Sequence, residues 1–443
     1  MTLPSVGENI TIDIEGMDDE GRGRGVLDND GYTVDVAVRG ALPGDHVSAI
    51  VERVFASRQL LVCRTSQYHE KGPVHIERTC PHQGPCPACP LHEADLSLAF
   101  EIKKSRIERA LLDQNIAIDV DDVLPHPENF GYRQKVKLMV GGNTGDITVG
   151  VYVPYSHKLV SANACPYLHA SIREALAFLL QTLNAQKFEI DTKQIPGLRA
   201  VILRVGVEGV AVILVSRKAA SAAQVVSLQN LVDTGVLYSV CERVDSEETN
   251  SILGGITHRR CGPELLTPLE GGAAVDADSF CQTDPEQAKL MYQIVADYLT
   301  KETTEGWFID GYAGVGGFSK ALLAQGVHSI VAVESAPACL SSLQQLGIQI
   351  YLKPMEEIAA LLSTVSPVSG MVIDPPKKGL MQQAETLAQL QAPKVVLVSC
   401  DPDAMAKDLK TFLQHGYQVE QILPIDFFGG TPAIETIVFM KKL

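Results

Sequence analysis

Basic charge, long apolar runs and repetition are all scarce in this sequence of 443 residues. Lys and Arg number 37 against 53 Asp and Glu, a net charge of −16. That excludes a generic polyanion binder, which carries a basic excess. A local basic groove stays open, because affinity depends on where charges sit. No apolar run approaches the roughly 18 residues that a membrane-spanning helix needs; VAVILV (210–215) is typical of the longest. The opening MTLPSVGENI lacks the charged-then-apolar pattern of a signal peptide, so a cytoplasmic protein without a membrane partner is expected. In that reducing compartment the ten cysteines should be thiols rather than disulfides, and a cluster among them points to metal or catalysis. Internal repeats and low-complexity segments are absent.

What is present suffices for packed domains. Apolar residues make up 46% and charged residues 20%, so every part can bury a core. The length suggests two to four domains at roughly 150 residues each. Residues 1–64 alternate apolar and polar positions, with Gly21, Gly23, Gly25, Gly40 and Gly44 punctuating them. That pattern predicts a small OB-like β-barrel, a common nucleic-acid platform. Its first 60 residues hold 5 basic and 11 acidic residues, which weakens an RNA role for this piece alone. Residues 65–245 read as a central α+β domain. They open with an irregular Cys-, Pro- and His-rich stretch (65–90) and a helix near 91–120 that could pack on the catalytic domain. From 246 to 443 apolar strands alternate with amphipathic helices, which predicts a Rossmann-like α/β domain with a parallel sheet.

The chemistry gathers in that last domain. The strand WFID leads into Asp310-Gly311-Tyr312-Ala313-Gly314-Val315-Gly316-Gly317 and a helix. Glycines there let the backbone approach a ligand at the carboxyl end of the sheet. The next strand ends in Glu334, placed to take ribose hydroxyls, and a later one ends in Asp374-Pro375-Pro376. The spacing departs from the dinucleotide fingerprint GxGxxG and fits an adenosine cofactor without a pyrophosphate, S-adenosylmethionine. Cys400 follows the strand KVVLVS at the same edge and precedes a helix, whose N-terminus should lower the thiol pKa. A methyltransferase needs such a nucleophile when its target is C5 of uracil. Thiolate addition at C6 makes C5 an enolate-like carbon, and a base must then remove the C5 proton. Glu435, ahead of the last apolar strand, is the candidate base.

Several segments carry a family resemblance. GRGRGVL with VRGALPGDHV resembles a TRAM domain. DGYAGVGGFSKALL is similar to the cofactor loop of RNA uracil-5-methyltransferases, and VIDPPKKGL to their DPPR-G segment. LVSCDPDAMAKDL resembles their nucleophile block, and DFFGGTPAIET the terminal block that holds the base. FCQTD (280–284) resembles a Gln-x-Asn segment near the cofactor methionine. The likeness covers almost the whole chain and points to the ribosomal RNA branch, which carries a TRAM domain and an iron-sulfur cluster. It implies Cys400 as nucleophile and Glu435 as base, with Asp374 facing the target base. It implies Gln282, Tyr312, Gly314, Gly317, Glu334 and Asp374 around S-adenosylmethionine. The substrate it implies is a uridine of 23S ribosomal RNA, with transfer RNA as the alternative. Departures from the pattern are Asp284 and Asp401 for Asn, Ala433 for His, and Lys377 for Arg.

Cys80, Cys86 and Cys89, with Cys165 further on, form a four-thiolate set. Soft thiolates select zinc or iron-sulfur, and His82 and His92 keep zinc open. The resemblance implies a 4Fe-4S cluster of structural role, with zinc second. Cys63, Cys241, Cys261, Cys281 and Cys339 read as packing residues. Tyr132-Arg133-Gln134-Lys135-Val136-Lys137 is a basic, aromatic-led strand. Arg133 and Lys135 are the expected RNA contacts, to a target base unstacked from its loop. A monomer is expected. Two other classes compete: an iron-sulfur RNA-binding or assembly protein without turnover, and a methyltransferase for a small molecule or protein. Retention of both Cys400 and Glu435 argues against the first. Binding that ignored RNA would favour the second.

Overall fold

The computed structural model describes all residues except 1–2, 30–31, 78–79, 83–85, 127–129, 246–256, 272–273, 278 and 363. The expected boundary at 245/246 therefore opens onto a stretch outside the described residues. The chain forms two compact units. One comprises Met1–Arg106, Val151–Val160 and Phe428–Ile434; the other comprises Ile107–Gly150, Ser161–Phe427 and Glu435–Leu443.

The first unit is built on six strands: β1 (Asn9–Asp13), β2 (Gly16–Met17), β3 (Gly23–Asn29), β4 (Tyr32–Arg39), β5 (His46–Phe55) and β6 (Leu60–Glu70). Their order is β1-β5-β6-β4-β3-β2, antiparallel except for the parallel pair β4–β6. Period-2 alternation turns Ile10, Ile12, Val36, Val38, Val47 and Leu61 into one core. Because edge and central strands share that core, the sheet curls. Just past β1, the Glu15 N–H donates to the Arg24 carbonyl of β3 at 2.8 Å. The approach explains a glycine that reads as turn punctuation. A Cβ on Gly25 would stand 2.2 Å from the Asp13 carbonyl oxygen, so Gly25 lies within a strand and permits close contact. β6 runs to Glu70, so the stretch expected to be irregular from residue 65 starts as strand. The helix α1 (Leu96–Asp113) follows and contributes residues to both units.

Two seven-stranded sheets are built mainly from residues of the second unit. Its central sheet uses β7 (Lys135–Asn143), β8 (Asp146–Tyr152), β9 (Leu159–Ser161), β10 (Leu198–Gly206), β11 (Gly209–Ser216), β12 (Ser239–Val244) and β13 (Thr257–Cys261). Their order is β13-β12-β11-β10-β7-β8-β9. Helices α2 (Ala170–Ala185) and α3 (Ala222–Asp233) cover one face. α2 buries Ile172, Ala175, Leu176, Leu179, Leu180 and Leu183, an i, i+3, i+4 stripe, against Val201, Leu203 and Val212 of the sheet. Each fully buried Leu or Ile is worth about 1.5–3 kcal/mol. A short hairpin, β14 (Leu265–Leu266) and β15 (Val275–Asp276), contributes Leu266 to the core on the other face.

The remaining elements are α4 (Pro285–Thr300), β16 (Trp307–Gly311), α5 (Gly317–Ala324), β17 (Ile330–Glu334), α6 (Leu340–Gln345), β18 (Gln349–Leu352), α7 (Met355–Leu362), β19 (Val368–Ile373), α8 (Gln383–Ala388), β20 (Lys394–Ser399), α9 (Pro402–Gln414), β21 (Tyr417–Ile425) and β22 (Glu435–Lys442). The strand order is β18-β17-β16-β19-β20-β22-β21. The first five are parallel, and β22 is antiparallel to both neighbours. The order reverses between β16 and β19, and ligands of such sheets lie outside the carboxyl ends at that switch point. Because β22 runs the other way, its first residue lies at the edge where β20 ends. The segment after α1 also lies along β21. The Leu124 N–H donates to the Pro424 carbonyl (2.8 Å), and the Gln421 amide donates to the Asp121 carboxylate (2.6 Å). That strap covers an edge strand that would otherwise offer unpaired backbone groups. Among the described residues, no helix is long and apolar enough to cross a membrane.

Candidate active site

The loop after β16 is bent by left-handed backbone. Gly316 has φ +87°, and a Cβ there would also strike Leu346 at 2.7 Å. Tyr312 adopts φ +62° without being glycine, a strain typical of ligand-binding turns. Two acids hold the loop. Asp310 is fully buried and accepts from the Ser319 backbone N–H (2.9 Å) and hydroxyl (2.6 Å), which ties β16 to the first turn of α5. Burial lifts its carboxyl to about 6. Glu334, at the end of β17, accepts the Gly314 N–H at 2.8 Å and, through its other oxygen, the Ala336 N–H at 2.7 Å.

The resulting cleft is lined by Glu270, Gln282, Tyr292, Tyr312, Gly314 and Asp374. Gly317 lies on it too, and a Cβ there would come within 2.3 Å of the Tyr292 ring. One oxygen of the buried Glu270 carboxylate has no hydrogen-bond partner. A glycine cradle beside an unanswered buried acceptor fits a ligand that brings its own N–H donor. The expected cofactor residues Gln282, Tyr312, Gly314, Gly317 and Asp374 thus share one cleft, and Glu334 is joined to it through Gly314.

Asp374 follows β19, and its backbone N–H donates to the Gly311 carbonyl at 3.2 Å. Cys400 follows β20. The register pairs Ser399 with Thr436, so Cys400 and Glu435 are the next residues at the end of the same ladder. Cys400 is partly exposed and Glu435 is buried. Burial lifts Asp374 to about 7, with Asp310 adding to it. Glu435 is held well above the carboxylate range by burial and then by Asp374. Neighbouring acids resist double ionisation, so each raises the other.

The Cys400 thiol corrects one expectation. The start of α9 was expected to lower its pKa. Instead the thiol is pushed up to about 11, first by burial, then by the carboxylates of Glu435 and Asp374, with Asp401 adding to them. Asp401 accepts the Ala404 N–H (3.0 Å), so a carboxylate already answers the free N–H groups of the helix. At rest Cys400 is a thiol, and ionising it requires a proton acceptor.

The departures have local explanations. Asp284 is the N-cap of α4, accepting the Glu286 and Gln287 N–H groups, and it pairs with His126. Asp401 caps α9 in the same way. Asp and Asn are near-equivalent caps, so both positions keep their structural work. Lys377 lies 4.0 Å from the Asp401 carboxylate and is largely exposed. The Ala433 N–H donates to the Thr431 hydroxyl at 3.2 Å. A further residue escaped sequence reading. Asp408 on α9 accepts the Leu380 N–H (2.8 Å), pinning the turn that follows Asp374-Pro375-Pro376. An acid inside an amphipathic helix gives no signal of that tertiary role.

Cys80, Cys86 and Cys89 lie in the first unit and Cys165 in the second, all partly exposed. Among the described residues, no group of three or more Cys, His, Asp or Glu is arranged to hold a metal ion. Cys63, Cys241, Cys261, Cys281 and Cys339 are buried. Arg133 stacks by Tyr132, 5.9 Å from the ring centroid, while the Lys135 ammonium donates to the Ser279 carbonyl at 2.8 Å. Lys137 is the exposed cation of β7.

With this geometry in place, known proteins can be set beside it. Residues 360–443 match a family model described as tRNA (Uracil-5-)-methyltransferase. Over 96% of its length the chain is 27% identical to an uncharacterized RNA methyltransferase of Clostridium tetani, covering 95% of that protein. It is 28% identical over 98% of its length to an uncharacterized RNA methyltransferase of Gloeobacter violaceus, covering 97% of it. Its fold is similar to that of Pyrococcus abyssi tRNA (uracil-54, C5)-methyltransferase, crystallised with S-adenosyl-L-homocysteine. The TM-score is 0.76 at 23% identity, covering 97% of this chain and 100% of that one.

Proposed function

We propose that this protein is an S-adenosylmethionine-dependent RNA methyltransferase that modifies C5 of a uridine through a covalent Cys400 adduct. The observation that carries the reading is the meeting of Cys400, Glu435 and Asp374 at one sheet edge, with Asp374 also lining the glycine-loop cleft. Gln282, Tyr312, Gly314, Gly317, Glu334 and Asp374 would hold the cofactor, which supplies an electrophilic methyl group when bound. The chain's own residues do the rest. The Asp374–Glu435 pair takes the Cys400 proton as the target base enters and passes it on to solvent, which leaves Glu435 ionised. The thiolate adds to C6, and the displaced electron pair makes C5 nucleophilic toward the methyl carbon. The ionised Glu435 then removes the C5 proton, C5=C6 re-forms, and the Cys400 thiolate leaves.

A base in a stack cannot present C5 and C6, so the uridine must be flipped out. Arg133, beside the Tyr132 ring, would meet RNA phosphate, and Lys135 would do so only by releasing Ser279. We read the curled N-terminal sheet as the OB-like barrel of a TRAM domain, with domains at 1–64, 65–245 and 246–443. The 4Fe-4S reading for Cys80, Cys86, Cys89 and Cys165, with zinc second, rests on the family resemblance, and no step passes through it. The protein is read as a cytoplasmic monomer.

The substrate reading is 23S ribosomal RNA. Transfer RNA is the second reading, favoured by the description of the family model and by the target of the Pyrococcus enzyme. Incubation with labelled S-adenosylmethionine and each unmodified RNA, followed by nucleoside mass spectrometry, separates them. 5-Methyluridine in one RNA names the substrate. No labelled nucleoside in either, with cofactor bound, would leave the assembly-protein reading in its place.

A further inference from the structure

Glu270 is 8% exposed and borders the cleft beside Gln282 and Tyr292. One carboxylate oxygen, Oε2, accepts the Gln134 side-chain N–H at 2.8 Å. The same amide donates to the Gln282 carbonyl at 2.9 Å, and the Gln134 backbone N–H donates to the Thr283 carbonyl at 3.1 Å. Gln134 is fully buried, so it clamps Glu270 to the segment carrying Gln282. The carboxylate is fixed through Oε2, while Oε1 is buried without a hydrogen-bond partner. Arg204 donates through Nη1 to the Asp276 and Ser279 carbonyls, its Nε and Nη2 having no hydrogen-bond partner, and Lys135 donates to Ser279, so neither cation bonds Oε1. A buried acceptor without a donor is costly, and an anionic one more so. A donor arriving with a ligand would remove that cost.

We infer that Glu270 Oε1 receives the α-ammonium of the cofactor's methionyl end, with Gln134 as the positioning residue. This rests on the reading that the cleft holds S-adenosylmethionine. That molecule has two cationic centres. Its sulfonium has no N–H, and its adenine amine is neutral. The ammonium alone brings both positive charge and N–H donors, which is what a fixed, buried carboxylate oxygen selects. Glu270 therefore sets specificity for an amino-acid-bearing adenosine ligand over a bare nucleoside.

The test is calorimetric binding of S-adenosylhomocysteine, and of its analogue lacking the amino group, to the full chain. Wild type should bind the deaminated analogue at least about tenfold more weakly, the scale of a charge-assisted hydrogen bond. Glu270→Gln preserves shape and removes charge. It should weaken S-adenosylhomocysteine binding and reduce the discrimination to under about threefold. Glu270→Asp, which keeps the charge but withdraws the oxygen, should fall between. Equal discrimination in wild type and Glu270→Gln, or none in wild type, would overturn the inference while leaving the cofactor reading intact. Wild type that bound neither ligand would overturn the cofactor reading and this inference with it.

Discussion

Replacing Glu435 by Gln should make the Cys400 thiol more acidic while making the protein a worse catalyst. The thiol sits at about 11 against an ordinary 9.0. Near pH 7 that leaves about one thiol in ten thousand ionised, rather than about one in a hundred. Burial is the larger cause and survives the substitution; the Glu435 charge is the next and does not. The Cys400 value in Glu435→Gln should therefore fall without reaching 9.0. Alkylation by iodoacetamide, followed at the Cys400 peptide by mass spectrometry across pH 7 to 11, reads this directly and separates Cys400 from the other nine cysteines. Methyl transfer by the same variant should fall by about 10²–10⁴, the usual loss on removing a general base. A Cys400 profile that stayed put or rose would refute the electrostatic account of the site. Unchanged turnover would refute the base assignment.

Two other outcomes follow from the same geometry, and a third tests the cluster reading, which rests on the family resemblance. Gly317→Ala places a Cβ 2.3 Å from the Tyr292 ring, so S-adenosylhomocysteine should bind at least about tenfold more weakly by calorimetry; wild-type affinity would mean the ligand avoids this cradle. Asp310 has a folded value near 6, above its ordinary 3.8, so protonation favours the folded state. Its contribution is complete below about 4, is lost as pH rises through 6, and amounts to about 3 kcal/mol. Asp310→Asn should accordingly flatten the fall in melting temperature between about pH 4 and 6, and a parallel pH profile for wild type and variant would contradict this. Anaerobically purified protein should carry about four irons and four sulfides per chain, dropping on Cys86→Ala; zinc in their place, or neither, would remove the cluster.

Much of the last domain is legible in the sequence because its strands are continuous apolar runs. KVVLVS and ETIVFMKK form the strands β20 and β22 from end to end. Strands buried on both faces leave little ambiguity of that kind. The short β18 gives a weaker signal, since QIYL is partly polar and only four residues long. Candidate site positions were legible where a strand end coincided with a glycine, acid or cysteine: Tyr312, Glu334, Asp374 and Cys400. Residues whose role depends on a distant partner were not. Asp310 looks like one more loop acid until Ser319 is seen against it, and Glu270 sits in a glycine-rich turn with nothing nearby in sequence to suggest Gln134. The Cys400 pKa was misjudged for the same reason. The helix start is local and readable, whereas two of the three carboxylates that raise the thiol come from other strands.

The central claim is that Cys400 forms a bond to the target base, and trapping that bond tests it most directly. RNA carrying 5-fluorouridine presents no C5 proton for Glu435 to remove, so the adduct should stall after methyl transfer. Wild type, cofactor and fluorinated RNA should give a complex that survives denaturing electrophoresis and whose digested peptide carries the nucleotide on Cys400, with none formed by Cys400→Ala. A complex of equal yield in the alanine variant, or its absence in wild type that binds both cofactor and RNA, would contradict the account.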